Sequence, residues 1–207
     1  MTDSHEGLVQ GRTRWRLFAA VLVPAFIAVG AIGVGVANGA IPASFSISGE
    51  QFKVSADRLD GTNFEQYGGQ LNKATGGLPV PVAVSEIEHA TLTNLCQSVA
   101  KATPLGVIVL QIKAGAAAGS PAEADNLVIG MSELSGNATF HDIKIGRDGG
   151  ELETGTPNGS FGQSASSVEI TDLHQRAYST SAGTFALRGL SLKLIIGAGG
   201  VAGGECF

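Results

Sequence analysis

The side chains able to do chemistry are few: histidines at 5, 89, 141 and 174, cysteines at 96 and 206, and scattered carboxylates and serines. A serine hydrolase of the common α/β type needs a G-x-S-x-G elbow between a strand and a helix. The nearest run, Gly162-Gln163-Ser164-Ala165-Ser166, lacks the final glycine and falls in a stretch expected to be flexible, not after a buried strand. His141 lies beside Asp142, and His174 follows Asp172 by two residues. A serine–histidine–aspartate triad can be drawn on paper from these, but no order or spacing singles out a serine. His89 follows Glu86 and Glu88, a set that could hold a weak cation or form a solvated strand face. The triplets Asn137-Ala138-Thr139 and Asn158-Gly159-Ser160 match a glycosylation acceptor, a pattern that arises often by chance. No phosphate loop, dinucleotide fingerprint or metal-ligand spacing occurs, so no cofactor is expected and an enzyme is disfavoured.

Cys96 and Cys206 both fall in the part of the chain expected outside the cytoplasm, where a pair of thiols usually oxidises. One disulfide closing a loop of about 110 residues would add at most about 4–5 kcal/mol by the loop-entropy argument. The alternative is two free buried thiols. Zinc fits less well, because the CxxC spacing is missing.

These residues must be positioned by a chain of 207 residues, 43% hydrophobic and 15% charged, with 30 glycines. Low charge and abundant Gly, Ser and Thr suit short β-branched strands and turns better than a helical bundle. A net charge of −5 argues against nucleic acid, which needs clustered Lys and Arg.

The chain is uncharged from Leu17 to Gly49, and Leu17–Ala37 is apolar enough to cross a hydrocarbon core as a helix. Arg12, Arg14 and Arg16 precede it, a charge bias that holds that end in the cytoplasm. The expected organisation is a cytoplasmic segment 1–16, a transmembrane helix or signal-anchor 17–40, and an extracytoplasmic domain 41–207. The run could instead be a cleaved secretory signal; either way the domain is exported.

Along the domain, alternation predicts strands over 43–48, 51–59 and 80–90, with Asp60-Gly61 as a turn and 64–78 as a loop or distorted strand. Pro79 and Pro81 place the start of the third strand at an edge. Residues 91–101 read as strand, or as a short helix capped by Asn94. Leu105–Lys113 is apolar on both faces, which predicts a central strand covered on both sides. Strands are also expected over 126–134, 137–145, 167–180 and 184–196, with 147–163 as a surface loop.

One short pattern recurs: apolar, any residue, Asn/Asp/Gly, apolar. It occurs at Leu92–Leu95, Phe140–Ile143, Ile170–Leu173 and Leu187–Leu190. Apolar residues three apart cannot share a face of a regular strand. Asn94, Asp142, Asp172 and Gly189 are therefore candidate strand corners, since these types tolerate the left-handed backbone that a bend needs. Chance recurrence in a β chain rich in these residues is the alternative. The expected fold is mainly β: one N-terminal transmembrane helix, then a curved antiparallel sheet forming a sandwich, a barrel or an open half-pipe.

The stretch ASFSISGEQFKVSADRLDGTNFEQYG, the segments HATLTNLCQSV and TSAGTFALRGLSLKL, the terminal ECF and the RTRW…VPA…AIGVGVA…GAIPASF opening together resemble one actinobacterial family of exported proteins, domain-of-unknown-function family 6230. The resemblance implies an often-attached label of cholesterol esterase, which these residues do not support. It also implies a small polytopic membrane protein as partner. Three functional classes follow: a membrane-anchored module holding or passing an apolar molecule such as a membrane lipid, a structural or assembly subunit of the cell envelope that forms homo-oligomers, and, least favoured, an esterase.

Overall fold

The computed structural model describes residues 48–104, 106–152, 159–197 and 199–207. The segments 1–16 and 17–40, with Arg12, Arg14 and Arg16, lie outside the described residues, as does nearly all of the strand expected over 43–48. Among the described residues, no helix is long and apolar enough to cross a membrane.

The described chain is mainly β. In order the strands are β1 (Phe52–Leu71), β2 (Val80–Thr93), β3 (Leu95–Thr103), β4 (Gly106–Ala114), β5 (Ala122–His141), β6 (Lys144–Asp148), β7 (Phe161–Ser181), β8 (Thr184–Ala186) and β9 (Ser191–Gly197). They form one antiparallel sheet in the order β6-β7-β5-β2-β1-β3-β4-β9, with β8 on β5 and an added pairing of β7 with β1. The pairing is strongly staggered. Gly61 faces Ala90 on one side and Val168 on the other, and these face Ala124 and Phe140, far apart on β5. The result is a folded antiparallel sheet and not a clear barrel.

Long strands fold back because they carry corners. Among the described residues, Asn63, Asn94, Asn126, Asp142 and Asp172 hold φ between 50 and 54°, and Gly189 holds 66°. A left-handed residue sends two successive side chains outward, so the apolar residues on either side both turn in. Gly61 and Phe64, Leu92 and Leu95, Ala124 and Leu127, and Ile170 and Leu173 are all buried pairs of this kind. Ile143, after Asp142, stays exposed.

The corners align across strands. By the register, Asn63 stands between Glu88 on β2 and Ser166 on β7, and Glu88 stands beside Asn126 on β5. Asp57, in the same way, stands between Asn94 and Asp172. Asn94 Nδ2 donates to Asp57 Oδ1 at 3.2 Å, and Asn137 Nδ2 to Asp172 Oδ2 at 3.1 Å. Two polar creases therefore cross the sheet on its outside. The core between them includes Leu59, Phe64, Ile87, Leu127, Val168 and Leu173. Burying each such side chain contributes about 1.5–3 kcal/mol.

Several expectations need correction. Asp60-Gly61 is no turn: β1 runs through it, and a Cβ on Gly61 would sit 2.8 Å from Ile87 Cγ2. The glycine marks close packing between neighbouring strands. Of residues 64–78, read as a loop or distorted strand, 64–71 take the strand alternative and continue β1. Of the two readings of residues 91–101, the strand holds and the capped helix does not, with the strand broken at Asn94. The two strands expected over 126–134 and 137–145 join as β5 up to His141, which passes Ser135-Gly136 with a register shift, and residues 144–145 open β6 beyond the Asp142 corner. The surface loop expected over 147–163 begins with the last residues of β6 and ends with the first of β7. Residues 184–196 divide into β8 and β9 around the Gly189 corner. Pro81 does sit at a local edge, since β2 pairs β5 only from Ala83 onward.

Candidate functional site

The correction that matters for function concerns β4. Sequence reading covers both of its faces; among the described residues, one is covered. β4 lies between β3 and β9, with Ile108, Leu110 and Ile112 opposite Ile196, Leu194 and Leu192. The other face, with Val109 and Gln111 buried, lies under the last residues of the chain. There Gln111 Nε2 donates to the Gly204 carbonyl at 2.6 Å, and a Cβ on Gly204 would collide with Ile195.

The face bearing Leu192, Leu194 and Ile196 has no such cover among the described residues. Their exposures are 60%, 65% and 67%. Half-buried Ile108, Leu110 and Ile112 extend the apolar surface across β4, and half-buried Val99 extends it onto β3. Contiguous apolar surface of this kind marks an interaction site far more often than isolated exposed leucines do. The signal lies in Ser191–Gly197 as apolar residues at every second position, Leu192, Leu194 and Ile196, but that spacing alone does not say which face a neighbouring segment covers.

The covered face is held by a clamp. Cys96 and Cys206 form a disulfide with a Cα–Cα distance of 5.8 Å. Cys206 N donates to Ser98 Oγ at 3.0 Å, and Lys53 Nζ to the Phe207 main-chain oxygen at 2.6 Å. Lys53 also pairs with Glu205. That ammonium, helped by the Gly200 amide, holds the Glu205 carboxyl below its ordinary range. The Phe207 ring meets the His174 ring edge-on, with centroids 4.6 Å apart, and Lys53 and Arg176 lie over it. His174, a triad candidate on paper, thus packs against the tail.

The apolar cavity lined by Val54, Leu59, Leu92, Leu127 and Phe185 measures about 20 Å³. That is room for about one water and not for an acyl chain.

A second, polar groove of about 590 Å³ opens beside the first crease, lined by Asn63, Glu65, Glu86, Glu88, Lys144 and Arg147 among others. Glu65 and Glu86 face each other across β1 and β2. Tyr67 Oη donates to Glu86 Oε1 at 2.5 Å. Burial, with Glu65 nearby, raises the Glu86 carboxyl above its ordinary value, against the opposing pull of the tyrosine. Sequence reading missed this pair because only the register brings it together. His89 faces away from the core, its Nδ1 2.8 Å from Asp125 Oδ1. Asp142 Oδ2 accepts from Ser166 Oγ at 2.8 Å, and Arg147 Nη1 donates to Ser164 Oγ at 3.1 Å. Among the described residues, no group of three or more His, Cys, Asp or Glu could hold a metal ion.

The remaining corners are structural. Asn94 N donates to the Gly115 carbonyl and Gly115 N to the Arg188 carbonyl, both at 2.8 Å. Arg188 Nη2 reaches Glu123 Oε2 at 2.8 Å, an interaction that lowers the Glu123 carboxyl. The corners at Asn94 and Gly189 are thereby tied to each other and to β5.

No curated protein and no solved structure matches the chain. A family model does match, over residues 48–207, which takes in every described strand and the clamp: the chain belongs to the family of unknown function DUF6230.

Proposed function

We propose that the protein is a membrane-anchored, extracytoplasmic module of the cell envelope that holds or passes an apolar ligand such as a lipid on the bare face of β4 and β9. The observation carrying this reading is the exposed row Leu192, Leu194 and Ile196 beside Ile108, Leu110 and Ile112. The small interior cavity supports placing the ligand on this face rather than inside the fold. The apolar run 17–37 behind three arginines supports the membrane anchor. The reading assigns no catalytic step.

Native mass spectrometry of the full chain, purified in mild detergent, tests it. Retained lipid is expected on the unaltered protein. Leu192→Ser, Leu194→Ser and Ile196→Ser together should lower it by roughly tenfold or more. A loss of about 1.4 kcal/mol is enough for a factor of ten, and each leucine or isoleucine contributes about that when covered. Both proteins keep residues 17–37, so lipid held there cancels in the comparison. Equal lipid on the two proteins, or none on either, contradicts the reading.

A further inference from the structure

The sheet has two ends, and they differ in how they are guarded. An exposed strand edge presents unpaired N–H and C=O groups to any passing strand. Proteins blunt such edges with charge, proline, brevity or bulges. The β6 end has these devices: it is five residues long, carries Lys144, Arg147 and Asp148, and shifts register between Ile145 and Arg147. The β9 end lacks nearly all of them. Ser191–Gly197 pairs with β4 in unbroken register, contains no proline, and carries one charge, Lys193.

We propose that two copies of the chain pair edge to edge through β9, antiparallel about a two-fold axis at Leu194, to make one sheet that continues across both copies. The sequence Ser191-Leu192-Lys193-Leu194-Ile195-Ile196-Gly197 suits its own reverse. In this register Leu194 faces Leu194 of the second copy, Leu192 faces Ile196, Lys193 faces Ile195, and Ser191 faces Gly197. No like charges oppose each other, and apolar side chains meet apolar ones on the bare face. A register one residue away in either direction moves the axis between residues. It then sets an outward leucine against a residue of the covered face, contrary to the pleat. The strand's compatibility with its own reverse, in pleat and in charge, makes a second copy of it the occupant proposed. The pairing runs through the main-chain edge of β9 while sharing side chains with the apolar row, and its cross-linking pattern is read separately from retained lipid.

The test uses the full chain in mild detergent, where both native cysteines are in the disulfide and an added cysteine is the one free thiol. With a short bis-maleimide, Leu194→Cys should link to itself as a dimer. Ile196→Cys should link to Leu192→Cys in a mixture more readily than to itself. Thr75→Cys, on an exposed turn far from β9 in sequence, should not link. Leu194→Lys, which sets two ammonium groups on the axis, should sediment as a monomer where the unaltered chain sediments as a dimer, with unchanged circular dichroism. A Leu194→Cys yield no higher than that of Thr75→Cys overturns the proposal. So does a monomeric unaltered chain, or self-linking at Ile196→Cys as strong as at Leu194→Cys.

Discussion

Single residues decide where the strands bend. A non-glycine residue at positive φ costs roughly 1–2 kcal/mol through the clash of Cβ with the following carbonyl, and Asn and Asp tolerate it best. At Asp172, φ is 54°, and its neighbours Ile170 and Leu173 are both buried. Asp172→Val should therefore lower stability by about 1–2 kcal/mol, with the denaturation midpoint moving and the slope unchanged, whereas Asp172→Gly should cost much less. Equal losses from the two variants would remove the backbone explanation. The four-residue pattern points to positions 94, 142, 172 and 189, and positive φ occurs at each. It also occurs at Asn63 and Asn126, which the pattern passes over. There the leading apolar place is held by Gly61 and Ala124, residues too small to stand out as apolar in a chain rich in both.

At the scale of elements, the tail over β3 and β4 is the part most exposed to conditions. Glu205 has a folded-state carboxyl lowered from about 4.5 by Lys53 and the Gly200 amide. A lowered folded value stabilises above the unfolded value, and that contribution is lost as pH falls through the folded one. Acid below about 4.5 should therefore loosen residues 199–207 first, read as faster amide exchange at Cys206, whose N–H bonds Ser98. Glu205→Gln should exchange fast already at neutral pH and flatten that dependence. A Glu205→Gln profile identical to that of the unaltered chain would exclude the carboxylate as the cause.

Glu86 has the opposite sign. Its folded value is raised chiefly by burial, so its charge opposes folding as pH rises through that raised value. Glu86→Gln should raise the melting temperature at neutral pH and leave it nearly unchanged in acid. The disulfide spans 110 residues, for which loop entropy gives about 4–5 kcal/mol as an upper figure. Replacing Cys96 and Cys206 by serine should cost up to that much in denaturant titration. Most strands were legible from alternation at this scale. Asp60-Gly61 misled because the same dipeptide serves a hairpin turn or a tightly packed strand, and only the partner strands distinguish them.

For the whole molecule, the antiparallel β fold could be reached from composition and alternation, and the pairing of the two cysteines from the expectation of export. Which face of β4 lies bare could not. That depends on where the last residues return, with the Gly204 carbonyl accepting from Gln111 Nε2 on the covered face. The polar groove was hidden for a related reason, since Glu65 and Glu86 are distant in sequence and meet only through the register of β1 and β2.

The central claim is that the row Leu192, Leu194 and Ile196 meets lipid. The most direct measurement places an environment-sensitive fluorophore on Ile196→Cys in the full chain, reconstituted in nanodiscs with brominated acyl chains. Lys144→Cys, on the opposite end of the sheet, is the control. The account predicts strong quenching at position 196 and little at 144. Equal quenching at the two positions, or none at 196, would contradict it.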